Sequence, residues 1–260
     1  MDNRNKLTVV IGVKPLPGTL YGRDVEMKDV LASVRKEAGT LYDAGVRSIM
    51  IQNVNDLPAY DRAGIDTVAM MTAVACELKK SVGDDCLTGI SILRNDTPAC
   101  MAVAKAAELD YVRAKVYVGT MVRTVVEPGG ADDTLAMKAK LNCRAEIWAD
   151  VHDRMGVPLG NVPLKEACNH ALKAKADKLI LTGKNFDETI KMVSEIKEAQ
   201  PKASILIGGG VNAGNVEKAL RYADGIIIAS SLKRNGDINE ELDPDRLKEF
   251  MDAFRNCCGE

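Results

Sequence analysis

Two loops of small residues carry the clearest chemical signal in the sequence. Gly208-Gly209-Gly210 follows one apolar run, SILIG (204–208), and Ser230-Ser231 follows another, GIIIA (225–229). Glycine lets a backbone approach a ligand closely. Asn212 reads as the N-cap of a helix over Val216–Tyr222, whose positive end would reinforce exposed amide donors. Such a pair of loops is a socket for a phosphate, and Lys233, just beyond the serines, is assigned to the same group.

A second set of residues has the types needed to work on whatever the phosphate tethers. Asp150 and His152 alternate on one apolar segment, which predicts that they share a face and that the carboxylate orients the imidazole as a general acid/base. Lys115 follows another apolar run, where an ammonium would stabilise an enolate or, if desolvated, form a Schiff base. Arg94-Asn95-Asp96 places a cation, an amide and a carboxylate together. Arg94 suits a bidentate anion contact, and Asp96 reads either as a catalytic carboxylate or as a helix cap. Asn53, Asn95 and Lys14, at or beside other strand ends, complete the predicted substrate contacts.

These residues need a scaffold that brings strand ends together. Eight apolar strand candidates alternate with eight helical patterns along the chain: Leu7–Val13, Ser48–Ile51, Leu87–Leu93, Tyr111–Val116, Ala145–Val151, Lys178–Leu181, Ser204–Gly208 and Gly225–Ala229. Strands without a polar face must be covered on both sides, as in a parallel sheet, and eight βα units close into a barrel. The expected fold is a single (β/α)8 TIM barrel over residues 1–260, the usual size for that architecture, with function at the C-terminal strand ends. The first βα turn has no GxGxxG, which argues against a doubly wound sheet. Tyr117–Gly130 is long for a βα loop and reads as a lid or binding segment.

Composition narrows the partners. A formal net charge of −2 without a basic block argues against nucleic acid. No run of eighteen apolar residues suggests an integral membrane segment, and the N-terminus lacks an apolar signal region; a cytoplasmic location is expected. Seven cysteines in an odd count, with no CxxC and only two histidines, support neither a disulfide framework nor a zinc site, so neither metal nor cofactor is assigned. The expected partner is a phosphorylated small molecule, and homo-oligomerisation is the default for such a fold.

VIGVKPLPG (10–18), GVRSIMIQNVNDLPAY (45–60), GISILRND (89–96), WADVH (148–152), LTGK (181–184), ILIGGGV (205–211) and ADGIIIASSLKRNG (223–236) together resemble the BtpA/SgcQ family across essentially the whole chain. The resemblance implies a ribulose-phosphate-binding type of barrel. One branch of that family is named for a membrane-extrinsic factor of photosystem I biogenesis, and another accompanies sugar-uptake and carbohydrate-processing genes. The phosphate loops and polar strand-end residues point to an isomerase, epimerase or lyase on a phosphorylated sugar-like metabolite; the alternative is a non-catalytic assembly or regulatory factor. The chain departs from the family pattern at Lys14 or Pro15, Gln52 and Lys115, where His, Glu and Asn are usual, and in Asp153-Arg154-Met155-Gly156, where a further His is usual. Loss of those groups beside intact phosphate loops implies an altered or absent activity.

Overall fold

Aliphatic strands with no polar face can be satisfied only by burial on both sides, and the computed structural model of the chain, which describes Arg4 and residues 6–259, provides it by closing them into a parallel barrel. In chain order the first elements are β1 (Leu7–Gly12), α1 (Met27–Asp43), β2 (Ser48–Gln52), α2 (Ile65–Lys80), β3 (Leu87–Ser91), α3 (Thr97–Ala107) and β4 (Tyr111–Ala114). Then come β5 (Thr120–Val122), β6 (Val126–Pro128), α4 (Ala131–Lys140), β7 (Glu146–His152), β8 (Val157–Pro158), α5 (Leu164–Lys173) and β9 (Lys178–Leu181). The last are α6 (Phe186–Ala199), β10 (Ile205–Ile207), α7 (Val216–Tyr222), β11 (Gly225–Ile228) and α8 (Pro244–Cys258). The barrel runs β1-β11-β10-β9-β7-β4-β3-β2 and closes by pairing β1 with β2.

Alternation along each strand divides the core in two. Leu7, Val9, Ile11, Ile49 and Ile51 face the helices, whereas Val10, Met50, Tyr111, Trp148, Ile180, Leu206 and Ile227 fill the barrel interior. Tyr111 and Trp148 stack in the interior with centroids 3.6 Å apart. That packing requires Gly89, because a Cβ there would lie 2.1 Å from the Tyr111 ring. Helix ends follow local chemistry: Asp96 accepts from Ala99 N, Asn185 from Glu188 N, and Asp243 from Asp245 N and Arg246 N ahead of α8, which begins at Pro244.

The long segment after β4 is not a featureless loop. It folds as the β5–β6 hairpin, and β8, from the connection after β7, adds to it as a third antiparallel strand in the order β6-β5-β8. This small sheet stands over the C-terminal end of β4 and β7. Among the described residues, no helix is long and apolar enough to cross a membrane. Among the described residues no cysteine forms a disulfide; burial pushes the Cys86, Cys100 and Cys168 thiols up to about 12, so they pack as small hydrophobes.

Candidate functional site

The C-terminal strand ends surround a cavity of about 1140 Å³. Its lining includes Gly208–Gly210 after β10 and Ser230-Ser231 after β11 on one side, and Arg113, Lys115, Arg123 and Asp153 on the other. The two sides are built in opposite ways.

On the first side, donors are left open. Among the described residues, the amides of Gly209, Gly210, Ser230 and Ser231 donate to no protein acceptor. Gly210 adopts φ +80°, and its carbonyl accepts from Asn215 Nδ2, which holds the turn. Ser231 Oγ and Thr182 Oγ1 are buried atoms without a hydrogen-bond partner, and both residues line the cavity. Thr182 is only 4% exposed, so its idle hydroxyl is a standing cost that a ligand oxygen would remove. Gly208 makes room for this arrangement instead of donating to it. Its amide is spent on Leu181 O, and a Cβ would lie 2.3 Å from Thr182 Oγ1.

On the second side, charges are paired in a continuous chain. Arg113 projects inward from β4 and grips Asp150 of β7 with two bonds, Nε to Oδ2 at 2.7 Å and Nη2 to Oδ1 at 2.9 Å. Lys115 Nζ lies 3.6 Å from Asp150 Oδ1 and 2.8 Å from Asp153 Oδ2. Arg123, in the β5–β6 turn, reaches Asp153 at 2.9 Å and Glu127 at 3.5 Å. Arg94 closes the series against Glu127 at 4.0 Å and against Asp61. Burial opposes the charge of Arg113, yet Asp150 beside it raises its affinity for the proton above the ordinary value. Burial likewise opposes the charge of Asp153, but Lys115 and Arg123 pull its carboxyl down to about 2. Asp56, also on the cavity wall, forms no ion pair among the described residues; burial raises its carboxyl despite bonds from Leu16 N and Asn53.

Several residues expected at the site lie elsewhere. Asp150 and His152 do not form a pair. β7 carries a bulge between them, so Asp150 registers with inward Ile180 while His152 registers with outward Leu181. His152 Nδ1 is 2.8 Å from Thr182 O, which leaves the imidazole fixing a turn outside the cavity. Asp96 caps α3 and binds Ala63 N. Asn53 accepts from Leu93 N and donates to Asp56, whereas Asn95 bonds both backbone groups of Val116. These three brace the loops. Lys14 is exposed outside the cavity wall. Lys233 is 2% exposed and turned away, with Nζ on Glu37 of α1. Asn215, not Asn212, precedes α7, and that helix of seven residues is too short to contribute much of a dipole.

Arg113, Arg123, Glu127, Thr182 and Arg154 were not among the expected site residues. Arg113 had a legible signal: an arginine inside an apolar strand needs a buried acid. Nothing local distinguished Arg123 or Glu127, which reach the mouth only because their loop folds back as a hairpin.

The BtpA family matches residues 3–256. The chain belongs to the BtpA family. It is 30% identical over 265 residues to the photosystem I biogenesis protein BtpA of Synechocystis, covering 97% of this chain and 89% of that one. It is 34% identical over 239 residues to an uncharacterized protein of Archaeoglobus fulgidus, covering 89% and 93% respectively. Among solved structures, it resembles thiamine phosphate pyrophosphorylase of Pyrococcus furiosus with a TM-score of 0.61 at 18% identity, over 98% of both chains. N-(5'-phosphoribosyl)anthranilate isomerase of the same organism gives 0.55 at 14% identity, over 97% of this chain and 99% of that one. At such identities these likenesses establish the TIM-barrel fold of this BtpA-family chain.

Proposed function

We propose that the protein is an enzyme that anchors a small phosphorylated, sugar-like metabolite on the loops after β10 and β11 and moves a proton on it. The observation that carries this reading is the set of four open amides beside two unpartnered hydroxyls on the wall of one cavity. A phosphate bound there offers acceptors to all six. Isomerase, epimerase and lyase steps on such substrates share one need: stabilisation of negative charge on an oxygen next to the carbon that loses its proton.

Lys115 is suited to that stabilisation. It lines the cavity, and the ion pairs with Asp150 and Asp153 hold its amine in place to act as an electrostatic stabiliser of that oxygen. Asp153, held at about 2, keeps the ammonium in place and is too weak a base to take the proton. Asp56, with its raised carboxyl, is the better acceptor on the wall. Asp150 and Arg113 brace Lys115 from below.

Phosphate or a sugar phosphate soaked into crystals is expected to bind at Gly209, Gly210, Ser230 and Ser231. Absence of density there ends this reading. In turnover assays against phosphorylated sugars, Lys115→Met should lower kcat by about 100-fold or more while KM changes little.

A second reading, a non-catalytic sensing or assembly factor, is favoured by one observation: His152 faces away, and the other expected catalytic groups, Asp150, Lys115 and Asp96, are tied into ion pairs or loop bonds. The similarity to the Synechocystis photosystem I biogenesis protein accords with it. Ligand binding with no turnover, and unimpaired cellular function of Lys115→Met, would favour this alternative.

A further inference from the structure

The charged groups around the cavity specify more about the ligand than its phosphate. Arg94, Arg113, Lys115 and Arg123 each lie within 4.0 Å of at least one carboxylate oxygen. Arg154 differs. Among the described residues it forms no ion pair or hydrogen bond, although it lies on the cavity wall. It occupies the second position of the turn Asp153–Gly156, which is closed by Gly156 N to Asp153 O at 3.2 Å and by Met155 N to Asp153 Oδ1 at 3.0 Å. That turn carries the guanidinium across the mouth to the phosphate loop. Arg154 Nη2 comes within 3.9 Å of where a Gly209 Cβ would stand.

Resting on the phosphate reading above, we propose that Arg154 clamps the phosphate from the β7 side, and that the ligand is a phosphomonoester whose remaining body is uncharged and rich in hydroxyls. The clamp follows from position: a cation without a protein partner faces the open amides of Gly209 and Gly210 from the opposite wall. The neutral body follows from charge matching. A second acidic group on the ligand would lie among Asp153, Glu127 and Asp56, and the remaining cations of the wall are already committed to carboxylates. Hydroxyls, in contrast, can donate to those carboxylates and accept from Lys115 without disturbing the chain of pairs. The substrate class is thus a sugar or polyol phosphate and excludes sugar-acid phosphates and bisphosphates.

The test uses calorimetry and thermal unfolding on the intact chain with three probes: inorganic phosphate, glycerol 3-phosphate and 3-phosphoglycerate. The last two differ mainly by a hydroxymethyl group in place of a carboxylate. Phosphate should bind the wild type, and Arg154→Gln should weaken it about tenfold or more, as expected for loss of a charge-assisted contact. Because Arg154 is exposed, the ligand-free unfolding midpoint of the variant should match the wild type, and Arg154→Lys should recover part of the affinity. Glycerol 3-phosphate should bind at least tenfold more tightly than 3-phosphoglycerate. Equal phosphate affinity in Arg154→Gln overturns the clamp while leaving the phosphate site standing. Equal or tighter binding of 3-phosphoglycerate overturns the uncharged body. No phosphate binding to the wild type removes the site itself, and both statements with it.

Discussion

The two walls of the barrel mouth solve opposite problems. The wall after β10 and β11 has bare amides and idle hydroxyls on small residues, with almost no side-chain charge. The wall formed by β4, β7 and the hairpin has long charged side chains, each bound to the next from Arg113 up to Arg94. One wall offers uncovered amides and hydroxyls to a ligand; the other has its charges already paired, although Arg94 Nε, Arg123 Nε and Glu127 Oε2 lack a hydrogen-bond partner. A pre-paired wall keeps its geometry without substrate, at the expense of desolvating several ions, whereas an open wall of backbone groups is rigid by virtue of the sheet that carries it. Binding and positioning are therefore separated in space, and they should separate in mutants.

The sharpest way to break the contrast is Asp150→Ala. It leaves Arg113 buried with no bidentate partner, and global stability should fall by about 3–5 kcal/mol in denaturant titrations. A loss below about 1 kcal/mol would mean that the paired wall is ornamental. Next in size is the acid limb. Asp153 is depressed from 3.8 to about 2, so the unfolded chain takes up its proton first as pH falls. Its contribution is present above about pH 4 and is lost as pH drops through about 2, an effect of about 2 kcal/mol. Asp153→Asn should flatten that part of the stability curve, and an unchanged slope would contradict the pairing. The smallest effect on folding belongs to the open wall. Ser231→Ala removes a hydroxyl that bonds to nothing, so stability should stay within about 0.5 kcal/mol while phosphate affinity drops about fivefold. A large change in stability with no change in affinity would reverse the roles of the two walls.

The barrel was legible because its strands are short aliphatic runs between helical patterns, and the ends of Lys178–Leu181 and Val216–Tyr222 coincide with those read from the sequence. The open wall was legible too, since small residues after apolar strands mean uncovered backbone. The paired wall was not. Two-residue alternation places Asp150 and His152 on one face, and a single bulged residue in β7, with no mark in the composition, sends the imidazole outward. Asn53, Asn95 and Asp96 looked like ligands for a related reason: polar residues at strand ends serve either substrate or loop backbone, and only the partners decide between the two. Here Leu93, Val116 and Ala99 are those partners. Lys233 adjoined the serines in sequence, but the turn of chain after β11 directs its amine to Glu37.

Trp148 is the sole tryptophan, fully buried against Tyr111 with the ammonium of Lys178 4.2 Å from its ring centroid. Its indole is shielded from water until the barrel opens, so intrinsic fluorescence of this protein follows the integrity of the strand cylinder as a whole. A molecule settling at the mouth leaves that signal nearly silent. Tryptophan emission and ligand occupancy thus offer two independent readouts from one sample, the first for whether the scaffold stands and the second for whether it is in use.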